Sequence, residues 1–351
     1  MIILGIETSC DETAAAVVRD GVELITNVVA TSMDLHAVYG GVVPEIAARS
    51  HIESIIPVIE QAVAPVGWDA IDGIAVTNGA GLGGSLLVGV TTARTLAITK
   101  LKPLYAVNHV EGHVYANFLT KTQLEGYTLP ERQPEIPMLA LIVSGGHTQL
   151  VFFRNHFDYT VLGKTRDDAI GEAFDKVAKI TGLPYPGGPN IAKAALKGDS
   201  HAYRFPKSRL DEKYEFSFSG LKTAVLRTAQ EVIGEDFTFP SFQIPDRLTE
   251  RQRQDIAASF QRIAIETVVD KAVLACEEFQ PKSVVIAGGV AANQELRRQL
   301  SERLPFNPQY TDIKLCTDNG AMIATLGCFK AMLESAKDDP YTLSIEPNLK
   351  M

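Results

Sequence analysis

One order of strands and polar turns occurs twice in the chain, and this repeat constrains the fold more than any other feature. The first copy is an apolar strand at residues 2–6, a polar turn at 7–13, and two more strands joined by a hairpin turn. The second copy begins about 137 residues later, with a strand at 139–143 and a polar turn at 144–148. Two lobes that each open on a three-stranded meander indicate a duplication with a cleft between the lobes.

The length and composition agree with two lobes. The chain has 351 residues, of which 46% are hydrophobic and 21% charged, as in a globular α/β protein. We expect residues 1–108 and about 310–351 to form the first lobe and about 109–309 to form the second. The polar, proline-bearing segment near 121–137 is the expected crossing.

Composition also excludes several classes of protein. No apolar run reaches the length of a membrane span, and acidic residues interrupt any signal-peptide core at the N-terminus. The four cysteines are far apart, which favours a reduced, cytoplasmic protein. A net charge of −9 argues against broad nucleic-acid binding, so a nucleic-acid partner requires a local patch or another protein.

Two histidines four residues apart are the strongest chemical signal. His109 and His113 would leave one face of a helix one turn apart, a spacing that a divalent metal can bridge. Asp318 follows an expected strand and precedes an expected helix, so it is either a third ligand or a helix cap, with Asn319 its rival as the cap. As a ligand it would complete a set that suits iron(II) or zinc(II).

Glycine-rich turns indicate a nucleotide. The turn at 144–148 offers backbone N–H groups and hydroxyls to an anion, although a plain hairpin is the alternative. Gly288 and Gly289, between a buried strand and a helix, suit an adenine or ribose that lies against bare backbone. The loop at 79–84 matches the dinucleotide pattern, but no acidic residue follows at the required distance, so a Rossmann site is disfavoured.

Taken together, these motifs resemble the sugar kinase–Hsp70–actin superfamily. They are most similar to the tRNA N6-adenosine threonylcarbamoyltransferases of bacterial TsaD type, which have also carried the name O-sialoglycoprotein endopeptidase or glycoprotease. The resemblance runs from Ile3 to about Met332. Its motifs are GIETSCDET (5–13), NHVEGH (108–113), VSGGHT (143–148), GEAFDK (171–176), PGGP (186–189), FSFSGLKT (216–223), GGVAAN (288–293) and TDNGAM (317–322).

The resemblance implies a fold and a site. The fold would be a two-lobed actin/Hsp70-like (ASKHA) α/β fold with duplicated RNase H-like lobes and an interlobe cleft for nucleotide and metal. His109, His113 and Asp318 would hold one divalent metal ion, with iron(II) expected first and zinc(II) second. The nucleotide-linked substrate would be held by Ile142, Val143, Ser144, Gly145, Gly146, Asp175, Gly188 and Asn293.

The resemblance also implies a reaction and partners. The threonylcarbamoyl group would pass from threonylcarbamoyl-AMP to N6 of adenosine 37 in tRNAs that read ANN codons, giving threonylcarbamoyladenosine and AMP. The partners would be tRNA, a TsaB-like paralogous protein and a TsaE-like P-loop ATPase, with no membrane. Kinases of the superfamily carry an aspartate early in the first strand and turn, where this chain has Glu7, so phosphoryl transfer is a poor expectation.

Two further sets of residues are candidates on chemical grounds. Asp11 or Glu12, on the first polar turn, could accept the proton of the attacking amine, although both also suit an ordinary solvated turn. Basic helix residues that could meet tRNA, or simply face solvent, are Arg247, Arg251, Arg253, Arg297 and Arg298.

Two other functions stay open. A metal-dependent (glyco)peptidase would need a glutamate directly after the first histidine, but Glu111 comes two residues after it, about 200° around the helix. A non-catalytic nucleotide-binding scaffold of a multiprotein complex would have no need of three metal ligands with open positions.

Overall fold

The computed structural model describes residues 1–37, 39, 41–208, 210–333 and 337–351. The chain divides into two compact units, Met1–Pro134 with Gln309–Met351, and Glu135–Pro308. Residues 109–134, which we expected in the second lobe, therefore belong to the first unit. The reason is that the histidine helix packs on the last helix, where Gly112 allows the close approach of Ile323.

Each unit opens on three consecutive strands and continues with helices and further strands. The strands are β1 (Ile2–Glu7), β2 (Glu12–Arg19), β3 (Glu23–Thr31), β4 (Gly73–Gly79), β5 (Leu104–Asn108), β6 (Lys121–Thr122), β7 (Met138–Val143), β8 (Thr148–Asn155), β9 (Asp158–Lys164) and β10 (Ser283–Ala287). The helices are α1 (Met33–Ala37), α2 (Pro44–Val63), α3 (Gly83–Lys100), α4 (His109–Tyr115), α5 (Ile170–Thr181), α6 (Gly187–Ala195), α7 (Ser219–Val232), α8 (Glu250–Phe279), α9 (Gln294–Arg303) and α10 (Gly320–Ala331). Among the described residues, no helix combines the length and the apolar character that a membrane span requires.

The sheet of the first unit has the order β5-β4-β1-β2-β3-β6. β1, β2 and β3 form the predicted antiparallel meander, and β4 and β5 extend the sheet in parallel beside β1. Because side chains alternate across a sheet, Leu4 and Ile6 join the core with α2 and α3, while Gly5 meets α10. The carboxyl ends of β1, β4 and β5 meet at one edge, where open α/β sheets gather ligands.

The second unit repeats this plan on a smaller sheet, β10-β7-β8-β9. β7, β8 and β9 are the second predicted meander, and β10 runs parallel to β7 with Ala287 opposite Ile142. The carboxyl ends of β7 and β10 are therefore neighbours. The turns that follow these two strands lie together for this reason.

The apolar residues of α2 divide between core and surface. Ile55, Ile59 and Val63 are buried against the sheet, whereas Ile52 and Ile56 are 65% and 51% exposed. The apolar arc of the helix is thus wider than its contact with the sheet. Only the buried part of this apolar arc faces the core.

Candidate active site

The histidine pair stands where β5 passes into α4. Asn108 ends β5 and caps the helix, since its side-chain oxygen accepts hydrogen bonds from the backbone N–H groups of Val110 and Glu111 at 2.8 and 3.2 Å. The cap starts the helix at His109, and the next turn brings His113 to the same side. The two imidazole centroids lie 4.8 Å apart.

Asp318 reaches this pair from the far end of the chain. It follows a 3-10 turn at Ile313–Leu315, where we predicted a strand, and it directly precedes the cap of α10. Asn319 is that cap, because its side chain accepts a hydrogen bond from the backbone N–H of Met322 at 3.0 Å. The Asp318 carboxylate is therefore not needed for capping.

The three side chains have the arrangement of a metal site. Asp318 Oδ1 lies 3.2 Å from His113 Nε2 and 3.6 Å from His109 Nε2, and the ligand atoms of the group all lie within 4.8 Å of one another. Both ring nitrogens of His113 are buried without a hydrogen bond among the described residues, because the 3.2 Å contact of Nε2 with Asp318 lacks hydrogen-bond geometry. A metal ion would give Nε2 a partner. Two imidazoles and one carboxylate leave coordination positions open.

A fully buried carboxylate stands behind His109. Glu7, at the end of β1, places Oε2 3.2 Å from His109 Nδ1. Thr77, on β4, donates its hydroxyl hydrogen bond to the same oxygen at 2.5 Å, and the backbone N–H of Ser9 donates to Oε1 at 2.5 Å. Our sequence interpretation used Glu7 only to disfavour kinase chemistry and missed this contact. The available signal was a glutamate that ends an apolar strand.

The carboxylates of Asp318 and Glu7 determine the charge of the His109 imidazole. Burial alone lowers the pKa of His109, but the carboxylates of Asp318 and Glu7 outweigh it and raise that pKa to about 9. Burial alone raises the pKa of Glu7, but His109 outweighs it, so that pKa lies below its usual value. Without a metal, the imidazole of His109 therefore holds two protons at neutral pH.

The predicted phosphate turn lies in the second unit. Gly145 and Gly146 are exposed, and a Cβ on either would meet no atom within 4 Å. The backbone of Ser144 is held by His147 O, which accepts from its N–H at 2.8 Å, and by Gly171 N–H, which donates to its carbonyl at 3.2 Å. Bare backbone on a fixed turn is what an anion requires.

The other predicted substrate residues surround the same end of this unit. Gly288, with φ of +89°, approaches Val143 so closely that a Cβ would lie 2.6 Å from its carbonyl oxygen. Asp175 accepts a hydrogen bond from the backbone N–H of Gly187 at 2.6 Å, and Gly188 beside it faces open space. The turn after β7 thus contacts the first turn of α5, and Asp175, in the middle of α5, contacts the start of α6.

Asn293 has a structural role in addition to any substrate contact. Its side-chain oxygen caps α9 by accepting from the backbone N–H of Leu296 at 3.1 Å, and its amide donates to Gln261 Oε1 at 3.0 Å. The amide is thus oriented by the helix that it caps.

Burial raises the pKa of Asp175, while the N–H of Gly187 opposes that shift.

The family of the chain follows from comparison with known proteins. The family model described as TsaD, tRNA N6-adenosine threonylcarbamoyltransferase, matches residues 23–325. The chain belongs to this family. It therefore transfers a threonylcarbamoyl group to adenosine in tRNA.

Two relatives with this name match nearly the whole chain. The tRNA N6-adenosine threonylcarbamoyltransferase of Thermomicrobium roseum is 51% identical over 334 residues, which cover 92% of this chain and 90% of the relative. The protein of the same name from Dehalococcoides mccartyi is 46% identical over 353 residues, which cover 100% of this chain and 99% of the relative.

Solved structures confirm the expected ASKHA fold. HypF from T. kodakarensis matches with a TM-score of 0.57 and 13% identity over 94% of this chain and 48% of that chain. Component A of the (R)-2-hydroxyglutaryl-CoA dehydratase of Acidaminococcus fermentans matches with a TM-score of 0.51 and 16% identity over 94% of this chain and 98% of that chain. At these identities the likeness concerns the fold alone.

Glu12, one of the two candidate bases of the transferase, is held in its protonated form. Burial, followed by the charges of Asp318 and Asp11, raises the pKa of Glu12 to about 10. Without a metal, Glu12 therefore carries its proton at neutral pH and cannot accept another. Neutralisation of Asp318 by a bound cation would remove one cause of this shift.

The remaining sequence candidates lie outside the metal group. Glu111 is buried, and burial raises its pKa to about 7 while the charge of Lys330 opposes the shift. It is not among the ligand atoms that surround the candidate metal position. The transferase thus lacks the glutamate position that a peptidase of the His-Glu-x-x-His type requires.

The arginines nominated for tRNA already have partners within the second unit. Arg247, Arg251, Arg253 and Arg298 form ion pairs with nearby carboxylates, and the guanidinium of Arg297 donates to the backbone carbonyl of Ala291 at 2.6 Å. These pairs reduce the positive potential that a phosphate backbone would meet. A tRNA role for these residues stays a prediction.

Proposed function

We propose that the transferase uses threonylcarbamoyl-AMP as donor and adenosine 37 of tRNAs that read ANN codons as acceptor. The observation that carries the proposal is the group of His109, His113 and Asp318, because His113 is buried without a hydrogen-bond partner among the described residues. A scaffold that only binds nucleotide would have no use for such a group. The family supports the reaction, and the residues support metal assistance.

The proposed metal is iron(II), with zinc(II) as the alternative. Two imidazoles and one carboxylate with open positions suit either ion. When bound, the ion would supply positive charge that polarises a carbonyl or phosphoryl oxygen of the donor. The three side chains would hold it, and the ring nitrogens available for this purpose are the Nε2 atoms that face Asp318.

The chain's main task is to position an activated donor. In the proposed mechanism the backbone of Ser144, Gly145 and Gly146 binds the phosphate of the donor. Its nucleoside is bound by Gly188 and Asn293, together with Ile142, Val143 and Asp175. The N6 amine of adenosine attacks the carbamoyl carbon, so a C–N bond forms and the C–O bond to the phosphate breaks. AMP leaves with the bonding electron pair, and the extra proton of the amine passes to a base.

Asp11 is the preferred base in this proposal. Glu12 holds its own proton in the metal-free protein because of burial and the nearby carboxylates. Glu12 would act as a base only after its pKa falls. The backbone of Asp11 is fixed, since its carbonyl accepts hydrogen bonds from the N–H and hydroxyl of Ser32 at 3.2 and 2.7 Å.

The proposal includes partner proteins and a compartment. A TsaB-like paralogous protein and a TsaE-like P-loop ATPase would work with the chain in the cytoplasm. The net charge of −9 supports a contribution of the partner proteins to tRNA binding, because an acidic chain needs basic surface on a partner to attract the phosphate backbone.

One reaction mixture tests these statements. Purified protein, its presumed partners, threonylcarbamoyl-AMP and unmodified tRNA are incubated, and the nucleosides of the tRNA are analysed by mass spectrometry. We expect threonylcarbamoyladenosine at position 37, and we expect His109→Ala to reduce it by at least about 100-fold. No product with an intact partner set would contradict the proposed donor and acceptor.

The same proteins separate the other functions. Cleavage of a glycoprotein that disappears in His109→Ala would support a peptidase. Full activity of His109→Ala would leave the transferase standing but remove the metal from its mechanism. Nucleotide binding without any product would favour the scaffold.

A further inference from the structure

We propose that Glu7 is the positioning residue that holds His109 ready for a metal ion. The inference rests on the proposed metal site and concerns a residue to which the sequence patterns give no role. Glu7 ends β1 with a fully buried side chain, and its Oε2 lies 3.2 Å from His109 Nδ1. The contact is on the side of the imidazole opposite to the candidate metal position.

Donors from other parts of the chain hold the carboxylate in place. The backbone N–H of Ser9 donates to Oε1, and the hydroxyl of Thr77 donates to Oε2, both at 2.5 Å. A buried carboxylate without such partners would destabilise the fold. With the His109 contact, both oxygens are engaged, so Glu7 cannot turn away from the imidazole.

The carboxylate selects one tautomer of His109. An ionised carboxylate only accepts hydrogen bonds, so Nδ1 has to carry the proton. When Nε2 loses its own proton, its lone pair lies on the side of Asp318, whose Oδ1 is 3.6 Å away. Metal-binding histidines generally depend on such a contact at their other nitrogen. The hydroxyl of Ser9, 2.9 Å from the same Nδ1, can donate or accept and therefore selects neither form.

His113 provides the contrast within one helical turn. Its Nδ1 is buried and has no hydrogen-bond partner among the described residues. No contact of that nitrogen fixes a tautomer before a metal arrives. His109 is therefore the ligand that the fold orients in advance.

Glu7→Gln keeps the shape of the side chain and changes one hydrogen-bonding group. If the amide oxygen stays on the Ser9 N–H, the amide NH₂ faces His109 and favours Nδ1 as an acceptor, which moves the proton to Nε2. If the amide is turned, its NH₂ opposes the N–H of Ser9. Either arrangement weakens the metal site.

The test is the zinc(II) affinity of the full chain, measured by competition with a chelator. We expect Glu7→Gln to bind zinc about 10–100-fold more weakly than the wild type. Ser9→Ala, which removes the other neighbour of Nδ1, is the matched control and should stay within about threefold. In zinc-loaded wild type, NMR of ¹⁵N-labelled histidine should show a hydrogen-bonded Nδ1 proton on His109, and Glu7→Gln should lose that signal.

The outcomes separate this inference from the proposed function. Equal zinc affinity in folded Glu7→Gln and wild type overturns the role of Glu7 and leaves the metal site intact. A wild type that binds no zinc overturns the metal site and this inference together, whatever the tRNA assay gives. If Glu7→Gln does not fold, Glu7→Asp replaces it: a loss of about tenfold with the Nδ1 signal retained supports the role, and unchanged affinity overturns it.

Discussion

At the scale of single residues, His109 has to lose a proton before it can bind a metal. Its pKa of about 9 leaves the metal-free imidazole charged at neutral pH. Burial lowers this pKa, but the carboxylates of Asp318 and Glu7 raise it by more. A metal ion takes the place of the proton on Nε2. Metal affinity is therefore coupled to pH.

We expect zinc binding at pH 7 to release about one proton, and the apparent affinity to rise about tenfold per pH unit between 7 and 9. Titration calorimetry in two buffers of different ionisation enthalpy counts the protons. Because His109 supplies the proton, binding without proton release would show that its imidazole is already neutral.

Glu12 limits the stability of the metal-free protein. Its pKa is raised from 4.5 to about 10, first by burial and then by Asp318 and Asp11. For a carboxyl with a raised pKa in the folded state, the associated stability is complete below pH 4.5 and is lost as the pH rises toward 10. At neutral pH Glu12 therefore lowers the free energy of unfolding, since its carboxyl ionises only in the unfolded chain.

We expect Glu12→Gln to increase the free energy of unfolding of the metal-free protein at pH 7 by about 1–3 kcal/mol. The gain should vanish near pH 4, where Glu12 is protonated in both states. Urea unfolding at the two pH values measures it. A loss of stability at pH 7 would mean that Glu12 is ionised in the fold.

The rate of transfer can distinguish Asp11 from Glu12 as the base. If Asp11 accepts the amine proton, Asp11→Asn should lower the single-turnover rate of transfer by about 10²–10⁴-fold, and Glu12→Gln should lower it less. Rapid-quench measurement of threonylcarbamoyladenosine compares the two variants. The reverse order would assign the proton to Glu12.

At the scale of elements, the sequence predicted the parts that depend on local pattern. Alternating apolar residues and polar turns gave both meanders, and the spacing of His109 and His113 gave the face of α4. It missed the 3-10 turn at Ile313–Leu315, because a short apolar segment is compatible with a strand and only tertiary packing decides between them. It also missed Glu7, whose partners Thr77 and His109 come from β4 and α4, far away in the sequence.

Gly188→Ala should lower the affinity for AMP without lowering the stability of the protein. It lies in the first turn of α6, and a Cβ there would meet no atom within 4 Å. Gly188→Ala should leave stability unchanged or raise it by up to about 1 kcal/mol, because alanine favours helix. If the donor lies against this glycine, AMP affinity should fall about tenfold.

Calorimetric titration with AMP and thermal unfolding of the same samples check this prediction. Gly220→Ala is the matched control, because Gly220 also lies in the first turn of a helix and also faces open space. Equal losses of AMP affinity in both variants would remove Gly188 from the substrate site.

At the scale of the whole molecule, the repeat predicted two units, and the structure places Asp318 beside the two histidines. The boundary was wrong for residues 109–134, because a break in composition marks a polar segment and not the packing of the helix before it. The ion pair of Arg247 with Glu235 depends on how separate segments meet, so sequence spacing does not predict it. The pair of Arg251 with Asp255 spans one turn of α8, a spacing that was available in the sequence.

The central claim is that metal held by His109, His113 and Asp318 is required for transfer to tRNA. The most direct test compares metal-free protein with protein reloaded with iron(II) or zinc(II), each incubated with its partners, threonylcarbamoyl-AMP and unmodified tRNA. We predict a loss of threonylcarbamoyladenosine of at least about 100-fold on removal of metal, with recovery on reloading in wild type and none in Asp318→Ala. Undiminished product from the metal-free wild type would contradict the claim.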